Sequence, residues 1–492
     1  MIVWFGQQRP AMAVRSYHSE VKMTDSAILD RFAAIVGDAY AHRRPEDVVS
    51  FLVEPRGLWK GTTPMVLRPG SVAEVSAILK LATETATPVV PQGGNTGLVG
   101  AQVPDASGTE IILSLSRLNA IREIDLASNT ITAEAGVILQ HLHDAAHAAD
   151  RLFPLSLASQ GSAQLGGNLS TNAGGTSVLA YGNTRDLCLG LEVVLPTGEV
   201  LDDLRKLKKD NTGYDLKNLF IGAEGTLGVI TAAVMKLYPR PKGREVAWVG
   251  LNSTDDALKL FGIASEHAGS SLTGFELMIR KSLDFVLQHA QGTVDPLQSA
   301  YPWYVLMEIS SSSSAEDARA LMERILTAGF EAGYVADAAL AASIAQGDAF
   351  WNLRESMSEA QKPEGASIKH DISVPVACIP DFIDAAWQAV TAIEPGARLV
   401  CFGHMGDGNL HYNISQPVGA ETADFLALYR TINTAVHDVV RSFNGSISAE
   451  HGIGRLKRDE LIATAPPVEI DLMRRIKTAF DPAGIMSPKR VI

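Results

Sequence analysis

Three glycine-dense segments constrain this chain more than anything else in it: PVVPQGGNTGLVG at 88–100, GSAQLGGNLSTNAGG at 161–175 and GAEGTLGVIT at 222–231. Glycine lets successive backbone N–H groups turn toward one point and lets a ligand approach the main chain closely. One such cluster alone reads as a turn-rich loop. Three of them, set among short apolar runs, suggest a single extended ligand threading between elements. The first is not a Walker loop, because no Gly-Lys-Ser/Thr follows, and its glycine order differs from the G-x-G-x-x-G dinucleotide fingerprint.

The texture of the rest predicts an α+β fold in four parts. Residues 1–45 form a lead-in, with Ile28, Phe32, Ile35 and Val36 at helical spacing and Pro45 as a stop. Residues 46–241 interleave β-type runs such as EIILSLSRL, NTITAEAGVIL and LGLEVVLPTGEVL with helical stretches such as SVAEVSAILKLATETA. From 242 to 420 the order is strand, helix, two strands, helix, then the later strands RLVCFGHM and LHYNIS. That order predicts an antiparallel sheet backed by helices. Residues 421–492 read as mostly helical, broken by SISAEHGIG, and the serine run at 310–314 reads as a loop.

Composition narrows the partners. A formal net charge of −13 argues against nucleic acid and anionic membranes, so a small anionic substrate needs a private cationic site. Apolar residues make up 46% and no run approaches the 18 or more that a membrane span needs, so no transmembrane segment is expected. Cys188, Cys378 and Cys401 are far apart and form no C-x-x-C pair; they suit a reducing compartment and leave any metal to histidine and carboxylate. The first 22 residues carry arginines and a single acid, a faint likeness to a transit segment, and Met23 offers a second start. The expected address is cytoplasmic, or mitochondrial if that segment is a transit peptide.

Two further stretches carry chemistry. CFGHMGDGNLHYNIS predicts two strands joined by a turn over 405–409, which brings His404 and His411 together; Asn413, two residues on, shares the strand face of His411. Glu450, in SISAEHGIG, is the candidate third ligand, giving an open N/O site that suits catalytic zinc and would also accept manganese or iron. In isolation, two histidines seven apart are packing or surface residues. In WNLRESMSEAQKPEGASIKHDISVPV, Arg354 and Ser358 are four apart on one helical face, with Lys369 beyond; from spacing alone this is a solvated helix surface.

PQGGNTGLVG, GGNLSTNAGG, YGNTRDLCLGLEVVLPTGE and LFIGAEGTLGVIT resemble the FAD-binding domain of the vanillyl-alcohol-oxidase type flavoproteins. Within that superfamily, KDNTGYDLKNLFIGAEGTLG is most similar to the D-2-hydroxyglutarate dehydrogenase family. The likeness runs from about residue 45 to the end. It implies an FAD-binding domain, a cap domain and a helical C-terminal segment that completes the active site. It also implies FAD held by Pro91, Gly93, Gly94, Asn95, Thr96, Gly97 and Leu98, by Gly161, Gly166, Gly167, Asn172, Gly174, Gly175 and Gly182, and by Glu224, Gly225, Gly228, Ile230 and Asn444. Residues 91–104 contain no histidine or cysteine, so the flavin is expected to be noncovalent.

The resemblance further implies a divalent metal, zinc for preference, on His404, His411 and Glu450, and Arg354 and Lys369 as a cationic pair for a distal carboxylate. Ser358 stands where the family usually has threonine, and Asn413 and His451 complete the substrate site. A metal has a chemical purpose here. An alcohol of pKa about 15 is roughly 8 to 9 units too weak for a histidine of about 6.5 to deprotonate, whereas zinc brings a bound water to about 7. His451 is the expected base while hydride leaves C2 for flavin N5. The expected reaction is oxidation of D-2-hydroxyglutarate to 2-oxoglutarate, with D-malate as a secondary substrate. A D-lactate or glycolate dehydrogenase of the same fold and a non-redox flavin-dependent transferase are the alternatives. Electron-transfer flavoprotein or a quinone is the acceptor the resemblance implies, and a homodimer is among the assemblies the chain allows.

Overall fold

The computed structural model describes residues 25–492, so the transit-like segment and Met23 lie outside the described residues. The lead-in helix is Ser26–Val36, begun by Asp25, whose carboxylate accepts the Ala27 amide. Pro45 does not end it. A short 3₁₀ turn and the strand Ala41–His42 intervene, and Pro45 opens the next helix, Pro45–Val48, at a first-turn position where its missing N–H costs nothing.

Two sheets follow. In the first, Val66–Leu67, Ile111–Ser114 and Val89–Gln92 run parallel, and Ala41–His42 pairs antiparallel at one edge. Their residues are almost wholly buried beside the helix Val72–Thr85, as parallel strands covered on both faces require. The second is antiparallel, ordered Ile121–Asp125, Thr130–Glu134, Val229–Lys236, Cys188–Val194, Val200–Asp203. The first glycine segment leaves Val89–Gln92 and the third enters Val229–Lys236, while the middle one contains a short helix, Leu165–Ser170, absent from the sequence expectation.

An eight-stranded antiparallel sheet occupies 243–415, with the central order Gly243–Leu251, Trp303–Ser311, Leu272–Ile279, Arg398–His404, Asn409–Ser415. One face is covered by Thr254–Ala268, Ala315–Glu331 and Ile379–Ile393, whose apolar residues merge with Leu410, Tyr412 and Ile414 into the largest core; Arg280–His289 and Ile344–Ala360 cover part of the other. The serine run is not simply a loop: Ser310 and Ser311 end a strand and Ser314 caps the following helix by accepting the Asp317 amide. The window Val376–Ile393 averages a hydropathy of 1.2 over 18 residues, enough to cross a membrane by length and composition only, and Asp381 and Asp384 interrupt it. Its Ile379, Phe382, Ile383, Ala386 and Val390 are buried against the sheet.

The C-terminal part is helical at Thr422–Ala427, Tyr429–Ser442, Arg458–Thr464 and Pro467–Phe480, with 443–457 irregular between. The chain then returns to the first sheet. Ile485 O accepts the Val89 amide, and Arg490 makes a two-pronged pair with Glu110 at 2.5 and 2.8 Å, both side chains no more than 2% exposed.

Candidate active site

Strand alternation builds the site. Along Asn409–Ser415, Leu410, Tyr412 and Ile414 enter the core, so His411 and Asn413 face the other way. Register carries that face across the sheet: Phe402 and Asp371 both lie opposite His411, Val400 opposite Asn413, and Glu276 opposite His404. Arg398–His404 and Asn409–Ser415 are joined by a single 3₁₀ turn, Met405–Asp407, and Gly408 at φ +87° closes it where the Asp-Gly signal predicts a turn. The two histidine rings stand 5.8 Å apart.

Glu450 and His451 come to this face from the irregular segment, which is bent rather than extended at 449–451, so the two neighbours do not follow strand alternation. His411 Nε2 and His451 Nε2 each lie 3.6 Å from Glu450 Oε1, and the two rings stack at 5.9 Å. Asp371 completes the group. Its Oδ2 accepts the amides of Glu450 at 3.2 Å and His451 at 2.9 Å, and it stands 3.4 Å from His451 Nδ1. One ligand atom from each of Asp371, His411, Glu450 and His451 falls within 4.8 Å of the others, a donor set that fits a divalent cation. This departs from the expected trio. His404 is a neighbour of that group, engaged through Nδ1 with Glu276 at 2.7 Å, which leaves its Nε2 for the cluster.

Charge at the site is strongly perturbed. Burial works against a charged His404, yet the Glu276 carboxylate holds it up to about 9, so a cation binding there displaces a proton. Burial likewise opposes Glu276, but His404 and Arg354 bring it down to about 2. Burial drives His411 well below its ordinary value. Against its burial, Asp371 is held well below the carboxylate range by His451, Lys457 and His411.

The expected clamp residues separate. Arg354 is buried on Ile344–Ala360 with Nε and Nη2 on Glu276 Oε2 at 2.9 and 2.8 Å, and its guanidinium lies 4.8 Å from the Phe402 ring centre. Ser358, one turn on, is exposed. Lys369 is half-buried with no carboxylate within 4.0 Å among the described residues; burial, reinforced by Arg56, lowers its pKa. Of the cationic pair expected for a distal carboxylate, Lys369 stands without a carboxylate partner and Arg354 is paired with Glu276, its Nη2 left without a hydrogen bond.

The glycine cleft is lined by Pro91, Gly93, Gly94, Asn95, Thr96, Gly97, Gly166, Gly167, Glu224, Gly225, Gly228 and Ile230 from the expected set. The approach of its walls is close enough that a Cβ on Gly94 would sit 1.9 Å from Ser162 O. Gln164 Oε1 and Asn168 Oδ1 are buried along it without hydrogen-bond partners, so the cradle fits a polar ligand such as the flavin dinucleotide. Leu98, Gly161, Asn172, Gly174, Gly175, Gly182 and Asn444 do not line it. Leu98 O accepts from Arg56, Asn172 Oδ1 accepts the Arg185 amide, and Asn444 is an exposed residue at φ +55° just beyond the helix Tyr429–Ser442. Gly174 lies on the other side of the wall, where a Cβ would meet Glu450 Oε2 at 3.1 Å.

The Glu224 carboxylate, though its residue lines the cleft, is engaged by the C-terminal part. It accepts the amides of Ile453 at 2.7 Å and Gly454 at 2.8 Å, and burial raises its pKa to about 7 despite those bonds. With Arg455 N on Val99 O at 2.9 Å, the segment carrying Glu450 and His451 is fastened to both the first and third glycine segments. Asp371 and Glu276 are the residues sequence reasoning missed. Glu276 left a signal, a lone acid at the centre of the apolar strand LTGFELMI. Asp371 left only the polar triplet KHD ahead of Ile372.

Comparison with known proteins bears on both halves. Residues 63–203 match the FAD binding domain family and 240–491 match the family of FAD linked oxidases, C-terminal domain. A D-2-hydroxyglutarate–pyruvate transhydrogenase of Saccharomyces cerevisiae is 36% identical over 96% of this chain and 95% of its own. A D-2-hydroxyglutarate dehydrogenase of Xanthomonas citri is 36% identical over 95% and 97%, and a mitochondrial one of Danio rerio 39% over 88% and 79%. Among solved structures, alkyldihydroxyacetonephosphate synthase superposes with a TM-score of 0.73 at 17% identity, covering 99% of this chain and 89% of the other. p-Cresol methylhydroxylase does so with 0.73 at 16%, covering 94% and 96%; at such identities the likeness is one of fold.

Proposed function

The chain belongs to the family of FAD-linked oxidases and is an FAD-dependent hydroxy-acid dehydrogenase; from that premise we propose that it converts D-2-hydroxyglutarate to 2-oxoglutarate with the help of a divalent metal, zinc for preference. The observation that supports this reading is the closeness of Glu450, in the histidine and carboxylate group, to Gly174 of the second glycine segment, whose Gly166 and Gly167 line the cleft. When bound, FAD supplies the hydride acceptor and the metal supplies the acidity that brings an alcohol within reach of a histidine.

The chain's own residues do the rest. His451, oriented by Asp371, takes the substrate's hydroxyl proton. His404, His411 and Glu450 hold the metal, with Asp371 beside them. Asn413 faces the same pocket, and Lys369, with Arg354 and Ser358, receives the distal carboxylate. FAD is held noncovalently. D-malate is a secondary substrate of the same clamp. Electron-transfer flavoprotein or a quinone takes the electrons; because the yeast relative is named for pyruvate, 2-oxo acids belong in the same acceptor screen. The address we propose is cytoplasmic, or mitochondrial if residues 1–22 act as a transit peptide, and a homodimer is the assembly to look for first.

A second reading rests on one observation: Arg354 already has a carboxylate partner in Glu276, so a monocarboxylate such as D-lactate or glycolate would leave unpaired only Lys369 and the Nη2 of Arg354, which makes no hydrogen bond. Anaerobic flavin bleaching separates the two. D-2-hydroxyglutarate should bleach the flavin rapidly, its L-enantiomer should not, and chelation should stop the reaction until zinc is returned. Bleaching only by D-lactate or glycolate selects the second reading. No bleaching by any of them points to a non-redox use of the flavin.

A further inference from the structure

Glu276 is buried to 1% exposure in the middle of Leu272–Ile279, where an unpaired charge would be costly, and each of its oxygens has a different duty. Oε1 faces His404 Nδ1 at 2.7 Å, and Oε2 accepts Arg354 Nε at 2.9 Å, with Nη2 at 2.8 Å as an ion-pair contact that is not a hydrogen bond. The pairing of Glu276 opposite His404 in the strand register fixes the first contact. Arg354 has a second route to the same place, over the ring of Phe402, which itself lies 5.2 Å from the ring of His411.

We propose that Glu276 is a positioning residue that joins the metal subsite and the distal-carboxylate arginine into one unit, so that neither can be altered without loosening the other. This deepens the function proposed above and rests on it. The argument is one of hydrogen-bond capacity. An anionic carboxylate accepts from both neighbours, which puts the His404 proton on Nδ1 and presents Nε2 as a lone pair to the metal. An amide of the same shape cannot do this. If its NH₂ faces His404, the imidazole must accept at Nδ1 and carry its proton on Nε2, where the metal belongs. If its NH₂ faces Arg354, two donors meet. Either orientation breaks one half of the link.

The test is metal retention by the flavin-loaded protein, read by competition with a chelator for added Zn²⁺, with flavin content and thermal midpoint as controls. Glu276→Gln should weaken zinc about 10- to 100-fold while keeping the flavin, the size expected when a group holding a metal-binding histidine is lost. Glu276→Asp, which keeps the charge on a shorter stem, should recover part of that loss. Arg354→Met, which removes a residue that binds no metal, should weaken zinc several-fold, and the double substitution should cost less than the product of the two single effects. Unchanged zinc affinity in both Glu276→Gln and Arg354→Met overturns the link while leaving the metal-dependent reading intact. Failure of the unsubstituted protein to retain zinc, manganese or iron overturns that reading and the link together.

Discussion

The amide of His451 donates to Asp371 Oδ2 at 2.9 Å, and the imidazole Nδ1 of the same residue stands 3.4 Å from that oxygen. One carboxylate therefore holds the backbone of the proposed base and stands beside its ring. Asp371→Asn should lower the rate of flavin reduction by D-2-hydroxyglutarate about 10- to 100-fold in rapid-mixing traces with flavin content unchanged. A rate within a factor of two of the unsubstituted protein would remove Asp371 from the site's machinery.

His451→Ala should nearly abolish flavin reduction while leaving metal content, measured by elemental analysis, close to that of the unsubstituted protein. His451 belongs to the group of four possible ligands, so the two readouts distinguish its roles. Metal lost in step with activity would make it a ligand rather than a base.

Gly94→Ala should yield protein without flavin. The added carbon would have to sit 1.9 Å from Ser162 O, which belongs to the facing backbone and cannot swing aside as a side chain could. Purified Gly94→Ala carrying the usual yellow colour would show that the cleft walls can part.

Glu224 gives a pH signature. Its carboxyl ionises near 7 in the fold rather than at the ordinary 4.5 because burial disfavours the charge. The raised value means its contribution to stability is full below about 4.5 and is lost as pH rises through about 7, by about 3 kcal/mol at most. Glu224→Gln, which cannot ionise, should gain on the unsubstituted protein in thermal midpoint as pH climbs from 5 to 8. Parallel midpoint curves across that range would sink the argument.

The Arg490 and Glu110 pair predicts a large stability effect. Removing one partner from a fully buried, two-pronged pair strands the other charge, so Arg490→Ala should destabilise by about 3–5 kcal/mol in denaturant unfolding. Arg490→Met combined with Glu110→Gln should recover much of it, and equal losses in the single and double variants would argue that packing, not charge, is at stake.

Why some of this was readable from the chain and some was not comes down to periodicity. LHYNIS declares which side chains share a face, so His411 and Asn413 could be placed together, and Asp-Gly declared the turn that returns His404 to them. Glycine density located the cradle because close backbone approach leaves few other choices of residue. Asp371 and Glu276 escaped because their roles depend on which strands become neighbours, and register between strands distant in sequence is not written in either one. Arg354 and Ser358 share a face on an ideal helical wheel, yet burial diverges across a single turn, since Arg354 packs against Glu276 and Phe402 of the central strands while Ser358 is exposed. The Glu224 carboxylate was equally opaque: its partners are backbone amides about 230 positions later, which have no sequence identity to recognise.

Translation adds a time axis to the return of residues 485–490 onto the first sheet. Glu110 emerges early, and its partner follows 380 residues later, roughly 20 to 80 s at about 5–20 residues per second. Throughout that interval a nascent flavin domain would hold a carboxylate at a buried position with no cation to meet it, and the strand Val89–Gln92 would lack the Ile485 and Ser487 contacts on its flank. The amino-terminal half is therefore poorly suited to finishing its fold on the ribosome, and flavin loading is expected to be a late event that waits for residues 485–490.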